Sequence, residues 1–147
     1  LVAVFVTIRY GNERFESFTA GEVAAVQYVY DHAGPGDRIV AVNPSLPWRH
    51  HDIDRYTFIG KIDDEWIHDG TAIVGYLQPR DTDAPRGRTG YLVLTKGQGA
   101  YGEVVQGRDA GWLDEVERLA LATGDAQVVY RNDDATVLRW TGGVSRP

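Results

Sequence analysis

The chain has 147 residues, enough for one domain with a buried core. Apolar residues make up 43% and the formal charge is -6 at pH 7; this excludes wholesale disorder and, with no basic block, argues against a nucleic-acid partner. Cysteine is absent, so there is no disulfide framework and no thiolate chemistry.

The stretch from Leu1 to Ile8 is apolar but far shorter than the about 20 residues that span a bilayer. It lacks the charged start and cleavage site of a signal peptide. Two readings stay open: a buried first strand, from its β-branched content, or the tail of a membrane helix with Arg9 and Tyr10 at the interface. Methionine is also absent, so Leu1 reads as the start of a piece cut or processed from a longer product. Tyr10 to Phe18 is a polar connector with interspersed aromatics.

Thr19 and Glu22 have the spacing of a capping box, and Phe18 with Val23 that of a hydrophobic staple. Val23, Val26, Tyr30 and Ala33 recur at helical spacing and form one apolar face. Gly34 is placed for a left-handed cap, and Pro35 cannot continue the helix. Arg38 to Val42 is rich in β-branched residues and reads as a buried strand. The rest of the chain reads as packed around this helix–turn–strand unit.

Asn43 to Tyr56 is an irregular loop whose two prolines keep its first half out of helix and central strand. Tyr56 to Gly60 reads as a strand, and Asp63 to Asp69 as a polar turn carrying Trp66 and His68. Thr71 to Leu77 fits a buried strand or a short helix equally. Gln78 to Gly90 is a surface loop rich in Pro, Arg, Asp and Gly. Gly90 to Thr95 is a buried strand, and Gln98 to Val105 a weak helix diluted by glycine. Asp109 to Thr123 is a helix that Asp109 can cap, with Leu113, Val116, Leu119 and Ala120 inward and Gly124 at its end. Residues 126–131 and 135–140 close the chain as a β-hairpin. The whole predicts a single α/β domain over 1–147, with 1–18 as juxtamembrane connector or first strand. Its expected architecture is a three-layer, Rossmann-like mixed sheet with helices on both faces and a C-terminal β-hairpin.

Gly97, Gly99 and Gly102 match the G-x-G-x-x-G fingerprint after a strand. There glycines would admit a pyrophosphate to a helix N-terminus. The run lies late in the chain, and the acidic residue expected about 20 positions on falls inside the next helix. A glycine-rich strand-to-helix turn is the favoured reading.

The densest polar cluster is Trp48, Arg49, His50, His51, Asp52, Asp54, Arg55 and Tyr56. It leaves the carboxyl end of the Arg38 strand, where α/β sheets place ligands. In an extended loop His50, Asp52 and Asp54 share one side, and His68 could add an imidazole for a metal. The spacing fits no zinc or iron signature, so a solvated loop is favoured and no metal is assigned. Trp48, Tyr56 and Trp66 could offer flat faces to a sugar ring, with Arg49, Asp52 and Asp54 bonding its hydroxyls; aromatics pinning the loop to the core is the commoner arrangement. The carboxylates of Asp63, Asp64, Glu65 and Asp69 read as a solvated turn rather than acid–base groups. Ser45 lies between prolines and no G-x-S-x-G is present, so no catalytic residue is assigned.

Tyr10 to Glu16, Thr19 with Glu22, Tyr30 to Ala33, Gly36-Asp37, Asn43-Pro44 with Pro47 to Arg49, Tyr91 to Thr95 with Tyr101, and Val129 to Ala135 carry a resemblance. Together they resemble the C-terminal domain after the last membrane helix of actinobacterial multi-span proteins similar to C-fold-class glycosyltransferases. The resemblance implies an extracytoplasmic, non-catalytic accessory domain at the cell membrane, joined to it through a missing N-terminal part. Such a domain would contact glycan, a lipid-linked sugar or a protein partner and needs no cofactor. The catalytic carboxylate of that class lies in an early loop outside this chain. Trp48, Arg49, His50, His51, Asp52, Asp54, Tyr56 and Trp66 are the candidate ligand residues. The alternative is a small nucleotide-binding or enzyme domain using the Gly97–Gly102 loop.

Overall fold

The structure is a computed structural model and describes residues 17–48, 53–80 and 88–142. The stretch 1–16 lies outside it, so neither reading of Leu1 to Ile8 is addressed. Helix α1 (Ala20–His32) starts at the expected capping box, with Thr19 and Glu22 each bonded to the other's backbone. It ends at Ala33, and the left-handed turn is taken by Gly36 at φ 80° rather than by Gly34. Gly34 instead donates its amide to Asp37 Oδ2 at 2.8 Å. That carboxylate also accepts from the Arg88 and Thr89 amides through Oδ1. The side chain of Asp37 thus ties the turn at Gly34 to the segment that leads into residue 90.

Strand β1 (Arg38–Ala41) is an interior strand, second in a five-stranded sheet of order β2-β1-β3-β5-β4. Here β2 is Thr57–Ile59, β3 Gly90–Thr95, β4 Ala126–Arg131 and β5 Ala135–Trp140. Strand β1 runs parallel to both β2 and β3, β5 runs antiparallel to β3, and β4 runs antiparallel to β5, so the sheet is mixed. Alternation sorts the side chains between two cores. Ile39, Ala41, Tyr91, Val93, Ala135 and Val137 face α1. Val40, Val42, Leu92, Leu94 and Leu138 face the opposite layer, made by α2 (Gly70–Leu77) and α4 (Trp112–Ala122). The three-layer α/β architecture with helices on both faces and a closing hairpin follows.

Thr71 to Leu77, ambiguous in sequence, is helical because Asp69 caps it. Its Oδ1 accepts from the Thr71 and Ala72 amides. Gly70 lets this end sit against the backbone of Leu119, where a Cβ would collide with the carbonyl. Helix α3 (Lys96–Val105) begins directly at the end of β3, with Thr95 and Gln98 as a second capping box. Helix α4 begins three residues later than Asp109, at Trp112, after Gly111 in the left-handed region (φ 80°), and no side chain caps it. Asp109 contributes only its carbonyl, accepting from the Trp112 amide. Trp112 joins Val116 and Ala120 on the buried stripe, whereas Leu113 and Leu119 are half-buried. Among the described residues no helix is long and apolar enough to cross a membrane.

Candidate functional site

The carboxyl end of the parallel strands gathers the polar residues. At β1 the strand order turns back on itself, because β2 lies on one side and β3 on the other. The crevice beyond such a point is where open α/β sheets bind ligands. Here it is filled by side chains. Asn43 and Gln98, both fully buried, exchange amide-to-carbonyl bonds: Asn43 Nδ2 donates to Gln98 O at 2.9 Å and Gln98 Nε2 to Asn43 O at 3.4 Å. Asn43 Oδ1 accepts from Ser45, and Gln98 Oε1 from Thr95. Glu22 reaches in from α1 and accepts from the Gly97 amide at 2.6 Å.

The glycine fingerprint therefore has a packing origin. Gly97 and Gly102 are buried within the first turns of α3. A Cβ on Gly97 would stand 2.8 Å from Glu22 Oε1, and one on Gly102 would overlap the Trp112 ring. The Trp112 indole donates to Gly99 O at 3.1 Å. Small residues here let a carboxylate and an indole approach the helix; no main-chain cradle is left open for a pyrophosphate.

The loop singled out in sequence divides. Arg49, His50, His51 and Asp52 lie outside the described residues. Trp48 is half-buried and meets Phe58 edge-on, with ring centres 5.4 Å apart. Tyr56 is buried and packs against Tyr30 and Phe58. Both aromatics thus pin the loop to the α1-side core. Asp54 is exposed in a 3-10 turn (Ile53–Arg55), so the extended geometry that aligned it with His50 and Asp52 does not hold at that residue. His68 is exposed in the turn before α2. No group of metal-ligating side chains is present among the described residues.

Trp66 is placed differently. It is 44% exposed and sits beside α2, on the opposite face of the sheet from Trp48 and Tyr56. With Ala72, Gly75, Tyr76, Gln78, Pro79 and Arg80 it lines an open cleft of about 420 Å³. Helical spacing brings Ala72, Gly75 and Tyr76 to one side of α2. The space over Gly75 is clear, with nothing within 4 Å of where a Cβ would lie. Tyr76 Oη donates to Asp63 Oδ2 at 3.0 Å, and burial pushes the Tyr76 phenol up, so it remains a donor at neutral pH. Gly75, Tyr76 and Arg80 were not singled out in sequence. The signal was the spacing of Gly75 and Tyr76 from Ala72 once Thr71 to Leu77 is known to be helical.

A second cleft, about 600 Å³, lies between the 63–69 turn and the loop joining α3 to α4. Arg108 spans it, paired with Asp64 at 2.5 Å and lying over the Trp112 ring at 4.8 Å. On its rim Glu115 is held below the usual carboxylate range, first by its hydrogen bond from Arg118. No protein-family model, curated protein or solved structure matches the chain.

Proposed function

We propose that the chain is a non-catalytic, extracytoplasmic accessory domain of a membrane glycosyltransferase-like protein, and that it contacts glycan through the cleft beside α2. The observation that carries this reading is Trp66: a large ring left 44% exposed at the mouth of a shallow cleft. Sugar rings present an apolar C–H face that stacks on such a ring, and hydroxyls that bond to neighbouring polar groups. Gln78 and Arg80 line the cleft with Trp66 and Tyr76, and Asp63 accepts from the Tyr76 hydroxyl. This reading takes the flank rather than the Trp48–Tyr56 loop as the contact surface, because Trp48 and Tyr56 pack against the core. The nucleotide alternative loses its main support, since the N-terminus of α3 already holds a carboxylate.

Isothermal titration with a panel of oligosaccharides tests the site. Trp66→Ala weakens binding by roughly tenfold, the equivalent of about 1.4 kcal/mol, while Trp48→Ala lowers stability. Equal affinity of wild type and Trp66→Ala for every bound sugar would sink the assignment. The membrane setting is tested on the full-length product with a C-terminal tag. Protease outside the membrane reaches the tag if the reading is right, and a tag found in the soluble cell fraction refutes it.

A further inference from the structure

Glu22 is 1% exposed. Its local capping role uses Oε2, which accepts from the Thr19 amide at 2.8 Å. Its other oxygen, Oε1, accepts from the Gly97 amide, 75 positions along the chain. One carboxylate therefore bridges the N-termini of α1 and α3, each of which carries orphan N–H groups and the positive end of a helix dipole. A buried charge persists only where hydrogen bonds replace its water. A Cβ at residue 97 would stand 2.8 Å from this oxygen, so glycine lets the carboxylate approach. The place is the crevice between β1 and β3, where sheets of this type receive the anionic part of a ligand.

We propose that Glu22 is a built-in occupant of this crevice: its carboxylate takes the place of an external anion and turns a ligand position into a lock between α1 and α3. The lock continues at the surface, where Asp134 accepts from Thr19 Oγ1 and pairs with Lys96, the first residue of α3. The inference is independent of the glycan reading, which concerns the α2 flank.

Chemical rescue tests it. Wild type, Glu22→Gln and Glu22→Ala are unfolded by heat in rising sodium formate, against sodium chloride at equal ionic strength. The alanine variant loses roughly 10 °C in Tm, and formate, which fits the vacated carboxylate position, restores several degrees by mass action. Wild type and the glutamine variant, whose crevice stays filled, gain no more from formate than from chloride. An equal response of all three proteins, or none in the alanine variant, overturns the proposal. Should Glu22→Ala not fold in chloride, recovery of its near-ultraviolet circular dichroism in formate is the supporting result, and no recovery is the overturning one. In wild type, the Gly97 amide resonance stays fixed on adding phosphate; a saturating shift would also overturn the proposal, because an external anion would then reach the position.

Discussion

The crevice between β1 and β3 and the flank of α2 are both lined by polar and aromatic groups, yet one is closed and the other open. In the crevice Glu22, Asn43, Thr95 and Gln98 are each at most 1% exposed, and both ends of the Asn43 and Gln98 amides are bonded. On the flank Trp66 keeps 44% of its surface over a cleft whose floor is bare at Gly75. The comparison teaches that position in the fold is not enough to make a ligand site. The carboxyl end of the parallel strands is the expected place, but a ligand needs donors and faces that the protein has not already used.

The largest expected effect comes from breaking the closed region. Gln98→Leu leaves the Thr95 amide and the Asn43 carbonyl buried without these partners, at a cost of roughly 2–5 kcal/mol. Urea unfolding measures it, and a loss below about 1 kcal/mol would mean that water enters and the crevice is not closed. Gly102→Ala comes next. Its methyl overlaps the Trp112 ring, and forcing the ring aside costs about 1–3 kcal/mol. The variant should also loosen the Trp112 indole bond to Gly99, seen as a shift of its fluorescence.

A smaller effect is expected at Asp134, on the rim. Its carboxyl lies below the ordinary aspartate value of 3.8, first through the hydrogen bond from Lys96 and then that from Thr19. A depressed acid contributes stability above its unfolded pKa and loses it as pH falls through the lower folded value. Asp134→Asn should therefore be less stable than wild type at neutral pH, with the gap closing only below pH 3.8. Thermal scans across pH check this, and a gap that persists unchanged in acid would remove the electrostatic explanation. The smallest effect sharpens the contrast from the open side. Trp66→Ala should change stability by no more than about 0.5 kcal/mol, although it removes the proposed contact with sugar.

Much of the fold was legible because it is written in short-range chemistry. Thr19 with Glu22 announced α1. The β-branched run at Arg38 and the apolar run at Gly90 announced β1 and β3, and the hairpin was found at its observed limits. Each signal lies within one turn or one strand, where periodicity and capping act. The candidate site was legible only as a set of residue types. Trp48, Tyr56 and Trp66 are all aromatic, and nothing within a few residues of each says which will be turned inward. Likewise, the glycines of α3 carry the same spacing whether they admit a pyrophosphate or the Trp112 ring.

The sequence by itself determined the order and type of most elements, the α/β class and the Thr19–Glu22 cap of α1, because those depend on neighbours a few positions apart. The tertiary structure alone decided that Gly70 is pressed against the backbone of Leu119. It also decided that Glu22 spends its second oxygen on Gly97, and that Trp66 keeps its face while Trp48 and Tyr56 lose theirs. These outcomes turn on which distant surfaces meet, and burial is a property of the packed whole rather than of any window of the chain.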